Sequence, residues 1–215
     1  ASHSGTDEHA ATVAALQAKI GVSESDLLCG VHAPTHEASA EAMRQRGEPF
    51  TANRHNCSGK HTGFLAHAVL RGESKENYIN PNHPIQKTII QTFADMIGYP
   101  RDQIAIGVDG CSAPVFAVPL IHAARGFARL CAPAGLAPER RRACQAVTRA
   151  MTAHPFMVAG PDRFDTLAMQ LGRGRFITKG GAEGYQAIGI LPGALGPGSP
   201  ALGITYKIAD GDLTG

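Results

Sequence analysis

The segment His55–Phe64, with the sequence HNCSGKHTGF, holds a thiol, an amine and two imidazoles close together. Cys57 and Lys60 lie three residues apart at a predicted helix start, so their side chains share one face of that helix. A helix N-terminus and a nearby cation both lower the pKa of a thiol, and the thiolate is the form that binds zinc. The segment therefore indicates metal binding, with ordinary buried thiols as the alternative.

A second cysteine, Cys111, stands in the sequence DGCS just after a predicted strand, where loops carry functional residues. Two cysteines so far apart do not define a zinc site by spacing alone, because no C-x-x-C or histidine pair accompanies them. The remaining cysteines, Cys29, Cys131 and Cys144, are assigned to the core.

Two other chemistries bear on the same segment. Gly59 and Lys60 look like the end of a phosphate-binding loop. That pattern requires glycine at position 54 and serine or threonine at position 61, where this chain has Arg54 and His61, so the interpretation is rejected. A thiolate pair of Cys57 with His61 stays open as a nucleophile. The chain contains no S-x-x-K and no G-x-S-x-G.

Two other segments offer candidate functional groups, a serine hydroxyl in one and a lysine amine in the other. Ser2 and Ser4 lie in a turn-prone segment and are nucleophiles or helix caps. Lys179 ends a predicted strand before two glycines, so a ligand can approach the backbone beside an ammonium group. The pattern is similar to the K-[ST]-G strand of penicillin-recognising serine enzymes, with Gly180 in place of the hydroxyl residue. The alternative is a solvated lysine at a hairpin turn.

Helices and strands that position these residues are predicted from periodicity and end signals. Helices are expected at residues 7–20, 39–46, 58–71, 84–97, about 117–130 and 138–153. Strands are expected at residues 103–110, which look buried, and at 175–179, 185–191 and 201–208. Residues 131–139 are expected to be a flexible linker, and the short turn after residue 179 predicts an antiparallel hairpin. The fold class is therefore α+β.

Composition bounds the class of protein. The 215 residues carry a formal net charge of +2, which is too small to indicate nucleic-acid binding. No apolar run approaches the roughly 20 residues that span a bilayer, and no secretory signal is visible, so no membrane partner is expected. The odd number of widely spaced cysteines favours a reducing compartment, and we expect a cytoplasmic protein.

Six segments together resemble the L-asparaginase II family of the rhizobial type. They are ASHSGTDEH, HNCSGKHTGFL, HPIQ, GVDGCSAPVFAVPL, HPFMVAGPDRFDT and KGGAEG followed by AIGI. They span nearly the whole chain, and the N-C-S-G-K-H and D-G-C pieces are the most specific. The resemblance implies a fold like that of serine β-lactamases and serine-dependent glutaminases, with a helical region and an antiparallel sheet in a single domain over residues 1–215.

The resemblance implies hydrolysis of L-asparagine to aspartate and ammonia. It also implies a zinc site made by Cys57, Lys60 and Cys111, with water as the fourth ligand. Only a neutral amine binds a metal, so zinc must hold Lys60 deprotonated, which makes binding depend on pH. A homodimer is expected from the family alone.

Members of the family use two serine–lysine pairs, and the second of these maps onto Ser2 and Lys179. The first, an S-x-x-K on an early helix, has no counterpart here, so we expect that the chain begins downstream of it and lacks the family's closing strands after Gly215. Activity of this chain is therefore in doubt.

The remaining site residues are assigned from charge and position. Asp109 is expected to bind the α-ammonium group of the substrate or to pair with Lys60, and His61 is expected to face the pocket. Arg163 and Asp165 are expected to orient the α-carboxylate of the substrate. Two alternatives to an asparaginase are a serine-dependent glutaminase, whose pocket is one methylene longer, and an inactive zinc-binding remnant.

Overall fold

A computed structural model describes residues 2–211 of the chain. The helices are α1 Asp7–Ile20, α2 Glu37–Arg46, α3 Ser58–Arg71, α4 Pro84–Ile97, α5 Leu120–Cys131, α6 Pro138–Ala153, α7 Pro155–Ala159 and α8 Phe164–Gly172. The strands are β1 Ala105–Val108, β2 Pro114–Ala117, β3 Phe176–Gly181, β4 Tyr185–Ile190 and β5 Leu202–Lys207. The predicted α+β class is confirmed.

The chain divides into two compact units. The first unit comprises residues 1–90 and 106–116, and the second comprises residues 91–105 and 117–215. Helix α4 begins in the first unit and ends in the second. The candidate metal ligands all belong to the first unit, and Lys179 belongs to the second. That residues 1–215 form a single domain stays a prediction.

Helix α1 shows why the predicted helix bounds of the first unit are accurate. The side chain of Thr6 accepts a hydrogen bond from the backbone N–H of His9 and so caps the helix start. Gly21, at φ 70°, adopts the left-handed conformation that ends the helix, and its N–H bonds to the last turn. The predicted bounds of α1, α3 and α4 match the structure, and α2 starts two residues earlier than predicted.

The core of the first unit encloses both predicted metal-binding thiols. Cys57 and Cys111 are buried in one cluster with Leu65, Tyr78 and Ile85, and the last three are fully shielded from solvent. All five cysteines of the chain are described, and each is a free, buried thiol. The prediction that the cysteines do not form a disulfide framework is confirmed.

Strands β1 and β2 form a two-stranded sheet. The strand predicted over residues 103–110 is confirmed at Ala105–Val108, but the expectation that it is buried is wrong, because all four of its residues are exposed. The apolar run fits an exposed strand equally well, since one hydrophobic stretch does not reveal how many faces are covered. Strand β2 was not predicted, because it has only four residues and begins with proline.

In the second unit, strands β3, β4 and β5 form an antiparallel sheet in that order. The predicted hairpin is confirmed, and it pairs Lys179 with Ala187. Helix α5 packs on β4 and β5, where Gly189 and Gly203 lie directly opposite each other. A Cβ at Gly203 would overlap the carbonyl of Ala124 in α5. The two glycines therefore let the helix backbone approach the sheet closely.

Helices α7 and α8 lie in a segment for which no helix was predicted, because prolines and glycines interrupt its apolar pattern. The predicted linker at residues 131–139 is ordered around a short 3-10 turn, Pro133–Gly135, and α6 already begins at Pro138. Within residues 2–211, no helix combines the length and apolar character needed to cross a membrane.

Candidate metal centre and active-site residues

Cys57 is the residue that precedes α3, and its side chain makes no capping hydrogen bond to that helix. The backbone N–H of Cys57 donates to Nδ1 of His55 at 2.9 Å, which fixes the backbone where the helix begins. Lys60 follows one turn later, with its side chain about one quarter exposed. The predicted common face of Cys57 and Lys60 follows from this local geometry.

The loop after β1 brings a carboxylate and a thiol to the same place. Oδ1 of Asp109 accepts the backbone N–H of Gly110 at 2.9 Å, and the backbone N–H of Ser112 returns to the carbonyl of Asp109 at 2.8 Å. This tight turn places Sγ of Cys111 3.3 Å from Oδ2 of Asp109. The same oxygen accepts a hydrogen bond from Nζ of Lys60 at 2.9 Å.

These residues form a cluster of metal-binding groups. The ligand atoms of Cys57, Asp109 and Cys111 all lie within 4.8 Å of one another, and the amine of Lys60 adjoins them. Ligands about 2.0–2.3 Å from a tetrahedral zinc ion are roughly 3.3–3.8 Å apart. Small side-chain movements would therefore complete a zinc coordination shell, and two thiols with one amine suit that borderline-soft metal.

Hydrogen bonds between the two thiols make their pKa values diverge. The hydrogen bond from Cys57 lowers the pKa of Cys111, and the same contact, with burial, raises the pKa of Cys57. Burial alone lowers the pKa of Lys60, but its hydrogen bonds to Asp109 and Cys111 raise the pKa overall. Of the two thiols, Cys111 is therefore the one that loses its proton more easily, and the amine of Lys60 favours its charged form.

His61 lies in the core of the first unit, directly beside the cluster. It is fully buried, and its Nδ1 is 2.7 Å from the hydroxyl of Tyr78, which also accepts the backbone N–H of Leu28 at 2.8 Å. Nε2 of His61 has no hydrogen-bond partner among the described residues. His61 lies close enough to Cys111 to lower the pKa of that thiol, and its predicted contact with substrate stays a prediction.

A serine–histidine contact in the same unit was not anticipated from the sequence. Nε2 of His3 lies 2.9 Å from Oγ of Ser58, an arrangement that superficially matches an activated nucleophile. Nδ1 of His3 accepts the backbone N–H of Gly5 at 3.1 Å, so neutral His3 carries its proton on Nε2 and donates to Ser58. The hydroxyl of Ser58 donates to the carbonyl of Asn53 at 3.0 Å. The contact is thus structural, and only tertiary geometry reveals it.

In the second unit, Lys179 lies near the end of β3 and is about one fifth exposed. Its Nζ donates to the carbonyl of Gly180 at 2.7 Å and lies 3.6 Å from Oδ2 of Asp165. Asp165 is buried, whereas Arg163 at the start of α8 is exposed, and their predicted contact with the α-carboxylate of the substrate stays a prediction. Ser2 is half-buried in the first unit, and its pairing with Lys179 stays a prediction.

The fold and these groups define an α+β protein in which two buried thiols lie beside a partly exposed amine and carboxylate. The sequence matches the L-asparaginase II family over residues 1–214, and the chain belongs to that family. The predicted family is therefore confirmed, and membership implies a hydrolase that acts on amides. No curated protein matches the chain.

Proposed function

We propose that this protein hydrolyses the side-chain amide of L-asparagine to give L-aspartate and ammonia, and that it binds zinc through Cys57, Lys60 and Cys111. The family match supports the reaction, and the observation that carries the proposal is the convergence of these groups with Asp109 in one partly buried cluster. We further propose the serine β-lactamase-like arrangement of the complete fold.

The chain's own residues divide the work around this cluster. Zinc, when bound, would supply positive charge that organises the substrate pocket. Asp109 accepts a hydrogen bond from Lys60 and so holds the amine in place once that amine has lost a proton to bind the metal. His61 supports Cys111 from the core, where Tyr78 fixes the orientation of the ring.

Ser2 and Lys179 are the proposed serine–lysine pair. In this proposal their hydroxyl and amine groups transfer protons or contact the oxyanion that develops on the amide oxygen when the amide carbon is attacked. A serine attacks the side-chain amide, ammonia leaves, and water releases aspartate from the acyl-enzyme. Arg163 is an exposed cation at the start of α8, and this position supports its proposed contact with the α-carboxylate.

Ammonia release from L-asparagine and from L-glutamine tests the reaction. Faster release from asparagine supports the proposal, and faster release from glutamine assigns the chain to the glutaminase alternative, which differs by one methylene in the pocket. No release from either amide, together with stoichiometric zinc, would identify the inactive zinc-binding remnant.

Metal analysis of the variants Cys57→Ser and Cys111→Ser tests the zinc site separately. Each variant is expected to lose most of its zinc, because the hydroxyl of serine is a much weaker ligand than a thiolate. The matched control is Cys144→Ser, which changes an equally buried thiol in the second unit. Undiminished stoichiometric zinc in both test variants would exclude this ligand set.

A further inference from the structure

The carboxylate of Asp165 in α8 accepts several hydrogen bonds and also lies beside the amine of Lys179, the proposed catalytic lysine. Its side chain is buried, and Oδ1 accepts hydrogen bonds from Nε2 of Gln186 at 2.7 Å and from Oγ1 of Thr178 at 3.1 Å. Oδ2 accepts the backbone N–H of Gly180 at 2.7 Å and lies 3.6 Å from Nζ of Lys179. One carboxylate therefore holds β3 and β4 together and faces an ammonium group.

A buried carboxylate needs a counter-charge, because water does not stabilise it there. Among residues 2–211, Lys179 is the one cation whose nitrogen lies within 4.0 Å of Asp165. The side chain of Lys179 is 21% exposed and that of Asp165 is 6% exposed, so solvent screens this pair far less than a surface pair. The lysine side chain also folds back onto the carbonyl of Gly180, which restricts its position.

Gly180 leaves the space that this arrangement requires. A Cβ at Gly180 would lie 3.2 Å from Oε1 of Gln186 and 3.4 Å from Oδ2 of Asp165. A larger residue after Lys179 would therefore push on the amide and on the carboxylate. The tighter of the two contacts is with the Gln186 amide that bonds to Asp165, so Gly180 suits the packing around this carboxylate, whereas the sequence pattern alone showed only a missing hydroxyl.

We propose that Asp165 is a positioning residue, which holds Lys179 as an ammonium group and fixes the end of β3 that carries it. This inference rests on the proposed function, in which Lys179 takes part in the serine–lysine chemistry. It makes Lys179 a source of positive charge for the developing oxyanion and removes it as the resting base that takes a proton from a serine. Asp165 then binds no substrate carboxylate, because its own charge is already paired.

The test measures the charge of Lys179 directly and needs no turnover. The rate of acetylation of Lys179 is followed against pH by peptide mass spectrometry, with the exposed Lys87 as an internal reference. In the wild-type protein the midpoint of the Lys179 profile is expected at or above that of Lys87. In Asp165→Asn the midpoint is expected to fall by about one pH unit or more, because the paired charge is gone.

Thr178→Val is the matched control, because it removes a neutral donor from the same carboxylate and leaves the charge in place. Its Lys179 midpoint is expected to stay at the wild-type value. A wild-type midpoint below that of Lys87, an unchanged midpoint in Asp165→Asn, or an equal shift in both variants overturns the proposal. If Asp165→Asn does not fold, the wild-type comparison still decides. A protein that releases no ammonia overturns the proposed function and leaves this measurement intact.

Discussion

Oδ2 of Asp109 lies 2.9 Å from Nζ of Lys60 and 3.3 Å from Sγ of Cys111. One carboxylate oxygen thus joins the amine of α3 to the thiol of the loop after β1. Residues that orient metal ligands in this way are commonly worth 10–100-fold in metal affinity. We expect Asp109→Asn to weaken zinc binding by about that factor, as measured by competition with a chromophoric chelator.

The control for this experiment is Asp102→Asn, which removes an exposed carboxylate in the second unit. Its zinc affinity should equal that of the wild-type protein. If the two variants bind zinc equally well, Asp109 has no part in holding the ligands.

Zinc binding should release protons from the cluster. The pKa values of Cys57 and Lys60 are both raised in the metal-free protein, so each holds a proton that a metal ion must displace. With two protons displaced, the apparent affinity should rise about a hundredfold per pH unit below those pKa values. Calorimetric titrations in two buffers of different ionisation enthalpy measure the number of protons released. If zinc binding takes up protons or leaves their number unchanged, this assignment is contradicted.

Tyr78 holds together the part of the core that supports His61. Its hydroxyl contacts Nδ1 of His61 and accepts the backbone N–H of Leu28. The side chain of Tyr78 is fully buried. Tyr78→Phe leaves both partners without this hydroxyl, so we expect a loss of about 1–3 kcal/mol in the free energy of unfolding. Urea denaturation measures it.

Tyr206→Phe is a suitable comparison, because it removes the same atom from a half-exposed tyrosine in β5. Its free energy of unfolding should change by less than about 0.5 kcal/mol. Equal losses in the two variants would show that the buried hydroxyl is not special.

Acid should destabilise the first unit through buried histidines. Burial and, to a smaller extent, the nearby His9 together lower the pKa of His3 to about 3. In the unfolded chain a histidine titrates near 6.5. The unfolded chain therefore binds a proton that the folded chain excludes. The contribution of His3 to stability is fully present above pH 6.5 and declines as the pH falls from 6.5 towards 3.

His3→Gln should accordingly flatten the dependence of unfolding free energy on pH. The expected reduction in slope between pH 6 and 4 is about 1 kcal/mol per pH unit, close to the limit for one proton. His83→Gln, at a histidine whose Nε2 contacts an exposed carbonyl, serves as the control. An unchanged slope in His3→Gln would mean that His3 is protonated in the folded protein.

Replacing glycine with alanine should change the stability of the protein in opposite directions at two positions. Gly203 faces the backbone of α5, so Gly203→Ala forces the helix away from the sheet and should cost about 1–3 kcal/mol or more. Gly63 in α3 has open space around it, and Gly63→Ala should stabilise the protein by about 0.5–1 kcal/mol. Thermal denaturation of both variants distinguishes them, and a stable Gly203→Ala would contradict the close contact.

The sequence allowed accurate prediction where local chemistry decides the structure. Helix α1 has acidic residues Asp7 and Glu8 in its first turn and Gly21 as its stop, so both ends were visible in the residues themselves. The position of β1 was predicted, but its burial was not, because exposure depends on which neighbours cover a strand. Helix α8 was missed because Pro161 and its surroundings hid the helical period. The α+β class survived these errors, since it depends on the long helices and on the β3–β4 hairpin.

The candidate site followed the same division. Cys57 and Lys60 share a helix face by spacing, which the sequence shows. Cys111 joins them only through tertiary folding, and the family resemblance supplied that partner where spacing could not. The contact of His3 with Ser58 lacked any local signal, because its two partners are far apart in the chain and carry no motif.

Gly189 and Gly203 have a further consequence for how the chain tolerates random mutation. They are paired across neighbouring strands, and α5 lies against both. Every substitution of glycine adds at least one carbon atom, so no conservative replacement exists at either position. In a saturation mutagenesis library these two positions in the second unit should therefore tolerate no substitution, even though neither residue carries a side chain that could take part in chemistry.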